Sequence, residues 1–234
     1  MSPTGLKFTV TPRAMTIEEI RRTVLDFQNA AKQAIASGFD GIEIHASNGY
    51  LLHQFFAGCS NHREDAYGGS YVNRARILIE ILEAVAVEMP INRVGVRLNP
   101  MMNRMHGIRV EEDTLPIFEH LVKRLADYDL AYLHLTEPFL PDQLKDTPDA
   151  IPEVARHFRD LAHAPVVVNG GFDQARAESF LTEGLCQAVA FGRPFIANPD
   201  LVLRFRHAAP LNTPDPSTFY QGGEKGYLDY PMLA

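Results

Sequence analysis

The sequence predicts an α/β fold in which strands of a parallel sheet alternate with helices. Five short segments rich in Val, Ile, Leu or Ala follow one another along the chain: GIEIH, VGVRLNP, AYLHLTEP, PVVVNGG and AVAFGRP. Short continuous apolar segments are typical of strands that are buried on both faces of a parallel sheet. Segments with helical patterning separate them, and this alternation forms right-handed βαβ units.

The first helix is predicted to begin near Thr16. TIEE is a capping box, in which Glu19 can reach back to the Thr16 amide. Apolar residues then recur at helical spacing as far as Ile35, and Gly38 marks the end of the helix. Further helices are predicted at about 72–88, 112–126, 150–162, 173–183 and 199–207.

Two architectures fit this order of elements. One is a (β/α)₈ barrel, which needs eight strands, and the other is an open doubly wound sheet. The first strand lacks the glycine-rich turn of a dinucleotide-binding sheet, and the glycine signals follow the last two strands, where barrels place phosphate sites. The strand count falls short of a closed barrel, so the pattern alone leaves both open.

Composition limits the classes of partner. The 234 residues carry a net charge of −7, and 46% of them are hydrophobic, so we expect one domain over residues 1–234 with a substantial core. The acidic balance and scattered basic residues argue against nucleic acid or an anionic membrane. Two distant cysteines (Cys59 and Cys186), no signal-peptide pattern and no apolar stretch near the ~18 residues of a membrane span predict a cytoplasmic protein.

Polar or glycine residues follow each of the five predicted strands. Ligands of parallel α/β folds bind at the carboxyl ends of the strands. Solvation of strand ends would explain one or two cases, whereas five in succession favour a shared site. The residues are His45, Arg97 with Asn99, Glu137, Asn169 with Gly170 and Gly171, and Gly192 with Arg193.

The glycines after the last two strands predict a phosphate site. Gly170 and Gly171 expose backbone N–H groups, and Gly192 with Arg193 follows the next strand. Amides and a guanidinium can together surround a phosphate. Two tight turns are the alternative.

Arg97 lies inside an apolar predicted strand. A buried charge must be paired or must point into a site. An ion pair with a core carboxylate and an anionic or electron-rich ligand both satisfy this requirement, and the pattern does not choose between them.

The segment HASNGY places three hydrogen-bonding side chains beyond the first predicted strand. His45 and Asn48 can both donate to one carbonyl oxygen and stabilise negative charge that develops there. Tyr50, with an ordinary pKa of about 10, is a poor base but a usable proton donor. A metal site of His45, His53 and His62 is the alternative; the spacing matches no common zinc pattern, so no metal is expected.

Seven segments carry a family resemblance: GFDGIEIHASNGYLLHQFF, HREDAYGGSYVNRAR, VGVRLNP, YLHLTEP, VVVNGGF, AFGRPFIANPDL and TFYQGGEKGYLDYP. In this order, over nearly the whole chain, they resemble the Old Yellow Enzyme family of FMN-dependent ene-reductases, and especially its N-ethylmaleimide reductase-like branch. The resemblance implies a (β/α)₈ TIM-barrel type fold, FMN as cofactor and NADPH or NADH as reductant. It also implies small-molecule substrates, namely α,β-unsaturated carbonyl or nitro compounds whose activated C=C bond is reduced.

The resemblance assigns catalytic and substrate-binding roles to four residues. His45 and Asn48 match the pair that hydrogen-bonds the activating oxygen of the substrate. Tyr50 matches the proton donor, and Tyr220 matches an aromatic residue near the mouth of the active site.

The resemblance also assigns cofactor-binding roles. Arg97 matches the arginine beside the N1 and O2 edge of the flavin, where the reduced ring carries negative charge. Gly170, Gly171, Gly192 and Arg193 match the residues around the flavin phosphate.

Nothing in the chain matches the first three strands of the family, which contact the flavin ring and ribityl chain. We therefore expect a partial barrel of about five parallel strands, equivalent to the family's strands four to eight. Such an arc has two unpaired edges, so a complementing N-terminal fragment or a homo-oligomer is expected as a partner. The alternative to an active reductase is a non-catalytic half-barrel that depends on that partner.

Overall fold

Five parallel strands form one sheet in the computed structural model. The structure describes residues 12–104, 106–138, 151, 153–220 and 223–233. Neighbours pair in the order β1-β2-β3-β4-β5, and each pair is parallel. The prediction of about five parallel strands is confirmed. Strands β1 to β5 span Ile42–His45, Val94–Leu98, Tyr132–Thr136, Val166–Asn169 and Ala188–Val189.

Eight α-helices lie within the described residues. Each predicted helix has a counterpart, with ends that differ by a few residues; of the predicted helix 150–162, residues 150 and 152 lie outside the described part. Two short helices were not predicted, because a helix of five or six residues is too short to show a helical period. Helices α1 to α8 span Ile17–Ala36, Leu51–Phe56, Tyr71–Ala86, Thr114–Leu125, Val154–Phe158, Gln174–Thr182, Arg193–Ala197 and Leu201–Arg206.

The predicted capping box at the start of α1 is confirmed. The Glu19 N–H donates to Thr16 Oγ1 at 3.1 Å, and the Thr16 N–H donates to Glu19 Oε2 at 2.8 Å. Hydrogen bonds from Arg13, and then from the Thr16 amide, lower the pKa of Glu19 to about 2. Helix α1 ends at Ala36, and Gly38 follows with a φ of 87°.

One face of the sheet is apolar and packs against the helices. Side chains alternate between the two faces of a strand, so every second residue of each strand points to the same side. On the apolar face these residues share one buried core with residues of α3, α4, α5 and α6. The strand residues are Ile44, Val96, Leu98, Leu133, Leu135, Val166 and Val168, and the helix residues include Ile77, Leu78, Leu121, Phe158 and Phe180.

The other face, here called the polar face, carries hydrogen-bonding side chains in register. Glu43 lies opposite Gly95, which lies opposite Tyr132. A Cβ at Gly95 would approach the Tyr132 ring to 2.4 Å, so glycine makes room for that ring. Burial and the neighbouring Glu43 raise the pKa of Tyr132 to about 12. Glu43 Oε2 also lies 2.8 Å from His134 Nδ1. The hydrogen-bonding side chains of the polar face are those of Glu43, His45, Arg97, Tyr132, His134, Thr136 and Asn169.

Strands β1 and β5 each pair on one side only within the described residues. The expected arc with two open edges is therefore what this part of the chain forms. The five carboxyl ends of the strands point to one end of the sheet, because parallel strands share a direction.

Candidate functional site

A cavity of about 930 Å³ lies at the carboxyl ends of the strands. Of the nine residues predicted for the site, eight line this cavity, and the ninth, His45, lies beside it with its ring centroid 5.4 Å from that of Tyr50. Arg97 and Arg193 thus lie at the same end of the sheet. The eight lining residues are Asn48, Tyr50, Arg97, Gly170, Gly171, Gly192, Arg193 and Tyr220.

His45 is the last residue of β1, and its ring is held by Ser47. The Ser47 hydroxyl lies 3.2 Å from His45 Nδ1. Burial, and then the charge of Arg97, lower the pKa of His45, which favours the neutral ring at pH 7. When Ser47 donates to Nδ1, the proton of the neutral ring is on Nε2, which makes Nε2 a donor.

Asn48 follows in the loop with a φ of 57°, a conformation that asparagine tolerates better than most residues. The buried Asn99 donates from Nδ2 to Asn48 Oδ1 at 2.8 Å. Because its oxygen is occupied, the Asn48 side chain has its NH₂ group left to donate to a ligand. Asn99 was predicted as a strand-end residue, but the sequence carries no signal for this orienting contact.

Tyr50 precedes α2 and is 53% exposed. Its ring contacts two histidine rings, with centroids 5.4 Å from His45 and 5.5 Å from His106. No role was predicted for His106 from the sequence. It follows β2 by eight residues, and sequence spacing alone does not bring it to Tyr50.

The buried His53 supports this loop through a hydrogen bond. It is 2% exposed, and its Nδ1 accepts the Gly49 N–H at 3.3 Å. Among the described residues, no group of three or more His, Cys, Asp or Glu side chains could hold a metal ion.

Because His53 is buried, we expect the free energy of unfolding to fall in acid. Burial, and then the nearby His45, lower the pKa of His53 to about 4. The unfolded chain binds this proton below about pH 6.5, and the folded chain does so only near pH 4, so stability falls across that window. We expect His53 to account for a loss of about 2 kcal/mol of unfolding free energy between pH 7.5 and pH 5.

Urea denaturation of the wild type and of His53→Asn at the two pH values measures this loss. Asparagine keeps an acceptor for the Gly49 amide but does not titrate, and the other histidines are common to both proteins. The variant should lose about 2 kcal/mol less than the wild type. Equal losses in the two proteins would show that His53 is not held neutral.

Arg97 points from β2 towards the cavity. Its guanidinium lies 3.4 Å from Thr136 Oγ1 on β3, and it forms no ion pair within the described part of the chain. Burial lowers the pKa of Arg97, and the charge of Glu43 opposes that shift. Of the two alternatives raised by the sequence, the ion pair with a core carboxylate is not formed within the described residues.

Gly170 and Gly171 follow β4 with φ values of 121° and 65°. A Cβ at Gly170 would lie 2.3 Å from the carbonyl oxygen of Glu137, so no other residue fits at this position without a backbone shift. The neighbouring Asn169 has a buried Oδ1 without a hydrogen-bond partner among the described residues. An orphaned acceptor beside a cavity fits a ligand that donates a hydrogen bond.

Glu137 does not belong to the cavity, so the expectation that all five strand ends serve one site needs a correction. It is fully buried, and its carboxylate accepts the N–H groups of Val154 and Ala155 at 2.8 and 2.7 Å. These amides open α5, which leaves its first N–H groups without helical partners. Burial raises the pKa of Glu137, and these amides oppose the shift.

Gly192 and Arg193 lie where β5 gives way to α7, whose first residue is Arg193. A Cβ at Gly192 would meet no atom within 4 Å, so the space beside it is open to the cavity. Tyr220 also lines the cavity and is 81% exposed, and its N–H donates to the Tyr227 hydroxyl at 2.7 Å. The following residues 221 and 222 of the TFYQGG segment lie outside the described part.

Residues 4–212 match the NADH:flavin oxidoreductase / NADH oxidase family. The chain belongs to this family. Two rice proteins (Oryza sativa subsp. japonica) are similar to it. Putative 12-oxophytodienoate reductase 4 is 39% identical, and 12-oxophytodienoate reductase 1 is 38% identical, each over 227 residues that are 95% of this chain and 58% of the rice protein.

Solved structures give the same result for the fold of this flavin oxidoreductase chain. Morphinone reductase superimposes with a TM-score of 0.90 at 42% identity, covering 98% of this chain and 60% of that one. The Old Yellow Enzyme homologue from Zymomonas mobilis superimposes with a TM-score of 0.91 at 35% identity, covering 100% and 64%. The Old Yellow Enzyme resemblance and the partial TIM-barrel fold are thereby confirmed.

The chain spans about 60% of the length of these relatives. No helix within the described residues is long and apolar enough to cross a membrane.

Proposed function

We propose that this chain acts, through a single flavin-binding domain, as an FMN-dependent NAD(P)H ene-reductase. It would reduce the activated C=C bond of α,β-unsaturated carbonyl or nitro compounds. The observation that carries the proposal is the arrangement of His45, Asn48 and Tyr50 at the end of β1, on the edge of the sheet opposite to β5, while paired glycines and Arg193 follow β4 and β5 and line the same cavity as Asn48 and Tyr50. Two donors for one oxygen and one phenol for a carbon beside it suit this chemistry.

The residues present fit FMN. A cavity of about 930 Å³ is within the usual range for cofactor sites. Gly170, Gly171, Gly192 and Arg193 would hold the phosphate, since backbone amides and a guanidinium both suit an anion. Arg97 would face the electron-rich edge of the ring. When bound, FMN supplies hydride chemistry, accepting a hydride from a reduced nicotinamide and giving it to the alkene.

The chain's own residues would bind and polarise the alkene. Nε2 of His45 and Nδ2 of Asn48 would donate to the carbonyl or nitro oxygen, and charge that develops on this oxygen strengthens both hydrogen bonds. Polarisation makes the β-carbon electrophilic. Tyr50 would then donate its phenolic proton to the α-carbon and recover it from solvent, to which it is half exposed.

Flavin retention followed by reduction of an enone tests this function. The purified chain is incubated with excess FMN, desalted and kept anaerobic; we expect bound flavin whose visible absorption disappears with NADPH or NADH and returns with 2-cyclohexenone. Cyclohexanone, which has the carbonyl but no C=C bond, should leave the reduced flavin unchanged. A chain that binds FMN and is reduced but is not reoxidised by the enone would contradict the proposal.

The second candidate is a non-catalytic half-barrel that needs a partner. Two observations favour it: β1 and β5 have open edges, and two buried polar atoms of the polar face, His134 Nε2 and Asn169 Oδ1, lack partners within the described residues. Under this alternative the isolated chain retains no flavin, and co-expression with the unmatched N-terminal part of a relative restores retention. Flavin retained by the chain alone would contradict it.

A further inference from the structure

We propose that His106 is a positioning residue for Tyr50, holding the phenol ring in place by ring contact. The inference rests on the proposed function for its catalytic meaning, but the contact itself is a property of the folded chain.

The Tyr50 side chain makes ring contacts with two histidines. Its hydroxyl makes no hydrogen bond within the described residues, as suits a group that must reach a substrate, and half of the side chain is exposed. The centroid of Tyr50 lies 5.4 Å from His45 at an interplanar angle of 49°, and 5.5 Å from His106 at 37°. Both distances are within the range of stabilising aromatic pairs.

His45 supplies only one of the two ring contacts of Tyr50. It approaches Tyr50 from β1, whereas His106 approaches from the long connection between β2 and α4. Two rings from separate elements restrict rotation of Tyr50 about its side-chain bonds more than one ring does. His106 also lines the cavity next to Tyr50, so it lies where the substrate would bind.

The connection that carries His106 is anchored at several points. The Val110 N–H donates to Asn103 Oδ1 at 3.1 Å, and the Arg109 N–H donates to Cys59 Sγ at 3.4 Å. His106 itself packs on the residue before Tyr50, because a Cβ at Gly49 would lie 2.8 Å from the Cβ of His106. These contacts bring the imidazole to the phenol in a defined position.

Backbone conformation allows a matched set of variants. His106 and Arg104 both have positive φ, at 51° and 57°. Asparagine accepts this conformation readily, so His106→Asn removes the ring and keeps the backbone. Arg104→Asn introduces the same residue at a positive φ two residues earlier and leaves the rings of Tyr50 and His106 unchanged. His106→Phe restores a ring.

Fluorine NMR of the chain labelled with 3-fluorotyrosine detects the contact without any activity. Tyr50→Phe identifies the Tyr50 resonance among the eight tyrosines. We expect His106→Asn to shift this resonance and leave the other seven in place, and Arg104→Asn to leave all eight unchanged. If His106→Asn does not fold, the variant Tyr50→Leu tests the contact from the other side. Loss of the phenol ring should shift the imidazole proton resonances of His106. An unchanged resonance in the folded variant, or in the reciprocal one, overturns the proposal.

Kinetics of the flavin-loaded protein then separate positioning from a merely structural role. His106→Asn should slow the alkene half-reaction about two- to tenfold and leave the nicotinamide half-reaction unchanged, as expected for loss of one aromatic contact to the proton donor. His106→Phe should recover most of the rate. A shifted Tyr50 resonance with an unchanged alkene rate overturns the positioning role. A wild type that reduces no alkene refutes the proposed function instead, and leaves the NMR result to decide the contact.

Discussion

Replacing Tyr50 with phenylalanine should slow the alkene half-reaction by about 10²–10⁴-fold, the effect expected when a general acid is lost. The variant keeps the ring, and with it the contacts to His45 and His106, and removes only the phenolic proton. Reduction by NADPH requires no proton on a substrate carbon, so that half-reaction should proceed at nearly the wild-type rate. Stopped-flow absorbance with NADPH and then with 2-cyclohexenone measures the two steps separately.

Tyr71→Phe is the matched control for this experiment. Tyr71 is an exposed tyrosine at the start of α3 that does not line the cavity, and it should leave both half-reactions unchanged. A Tyr50→Phe variant that slows the NADPH step and spares the alkene step would show that Tyr50 has been given the wrong role. Equal slowing of both steps would indicate a defect in flavin binding.

The sheet could be predicted from the sequence because burial leaves a local signal. Strands such as VGVRL and VVVN are continuous apolar segments, and parallel pairing makes their carboxyl ends converge. Convergence is also why residues 124 positions apart, Asn48 and Phe172, line one cavity without any local sign of proximity. The residues at the strand ends were accordingly the part of the site that could be predicted from the sequence pattern.

The hydrophobic pattern of the sequence allowed no correct prediction where the direction of a side chain depends on a contact with a residue distant in sequence. Glu137 directly follows β3, and Arg97 lies one residue before the end of β2. The Glu137 carboxylate nevertheless binds the amides of α5, because a buried helix start needs acceptors. In the sequence, His106 cannot be distinguished from any other loop histidine. Only the close approach of its Cβ to Gly49 brings its loop to the loop that carries Tyr50. Periodicity carries no information about such contacts, since it reports only which face of an element is apolar.

The polar face was missed for a related reason. Strands β1 and β3 were interpreted as buried on both faces, and Glu43 and His134 were not singled out. Their 2.8 Å contact links β1 to β3 across β2, so each group supplies the partner that burial of the other demands. Pairing between strands that are separated by a third cannot be recognised from either strand alone.

The second large effect is expected at Gly170. In Gly170→Ala the new Cβ would meet three main-chain atoms of Glu137, the nearest at 2.3 Å, and the backbone would be held at a φ of 121°. Main-chain atoms cannot rotate away as a side chain can. The Glu137 backbone is itself fixed, because its N–H donates to the Asn169 carbonyl at 2.7 Å and its carboxylate holds α5. Strain and overpacking together should cost about 2–5 kcal/mol of unfolding free energy.

Two other glycines separate the causes of this loss. Gly184→Ala has a positive φ of 67° but open space around its Cβ, so it should cost only about 1–2 kcal/mol through backbone strain. Gly192→Ala has neither a positive φ nor a neighbour within 4 Å, so its stability should change little while its Cβ narrows the proposed phosphate cradle.

Urea denaturation gives the three stabilities, and flavin retained after desalting gives cofactor binding. We expect Gly170→Ala to lose both stability and flavin, Gly184→Ala to lose stability alone, and Gly192→Ala to lose flavin alone. Equal stabilities of Gly170→Ala and Gly184→Ala would show that the close approach of β4 to Glu137 is absent in solution, and flavin retained by Gly192→Ala would place the phosphate elsewhere.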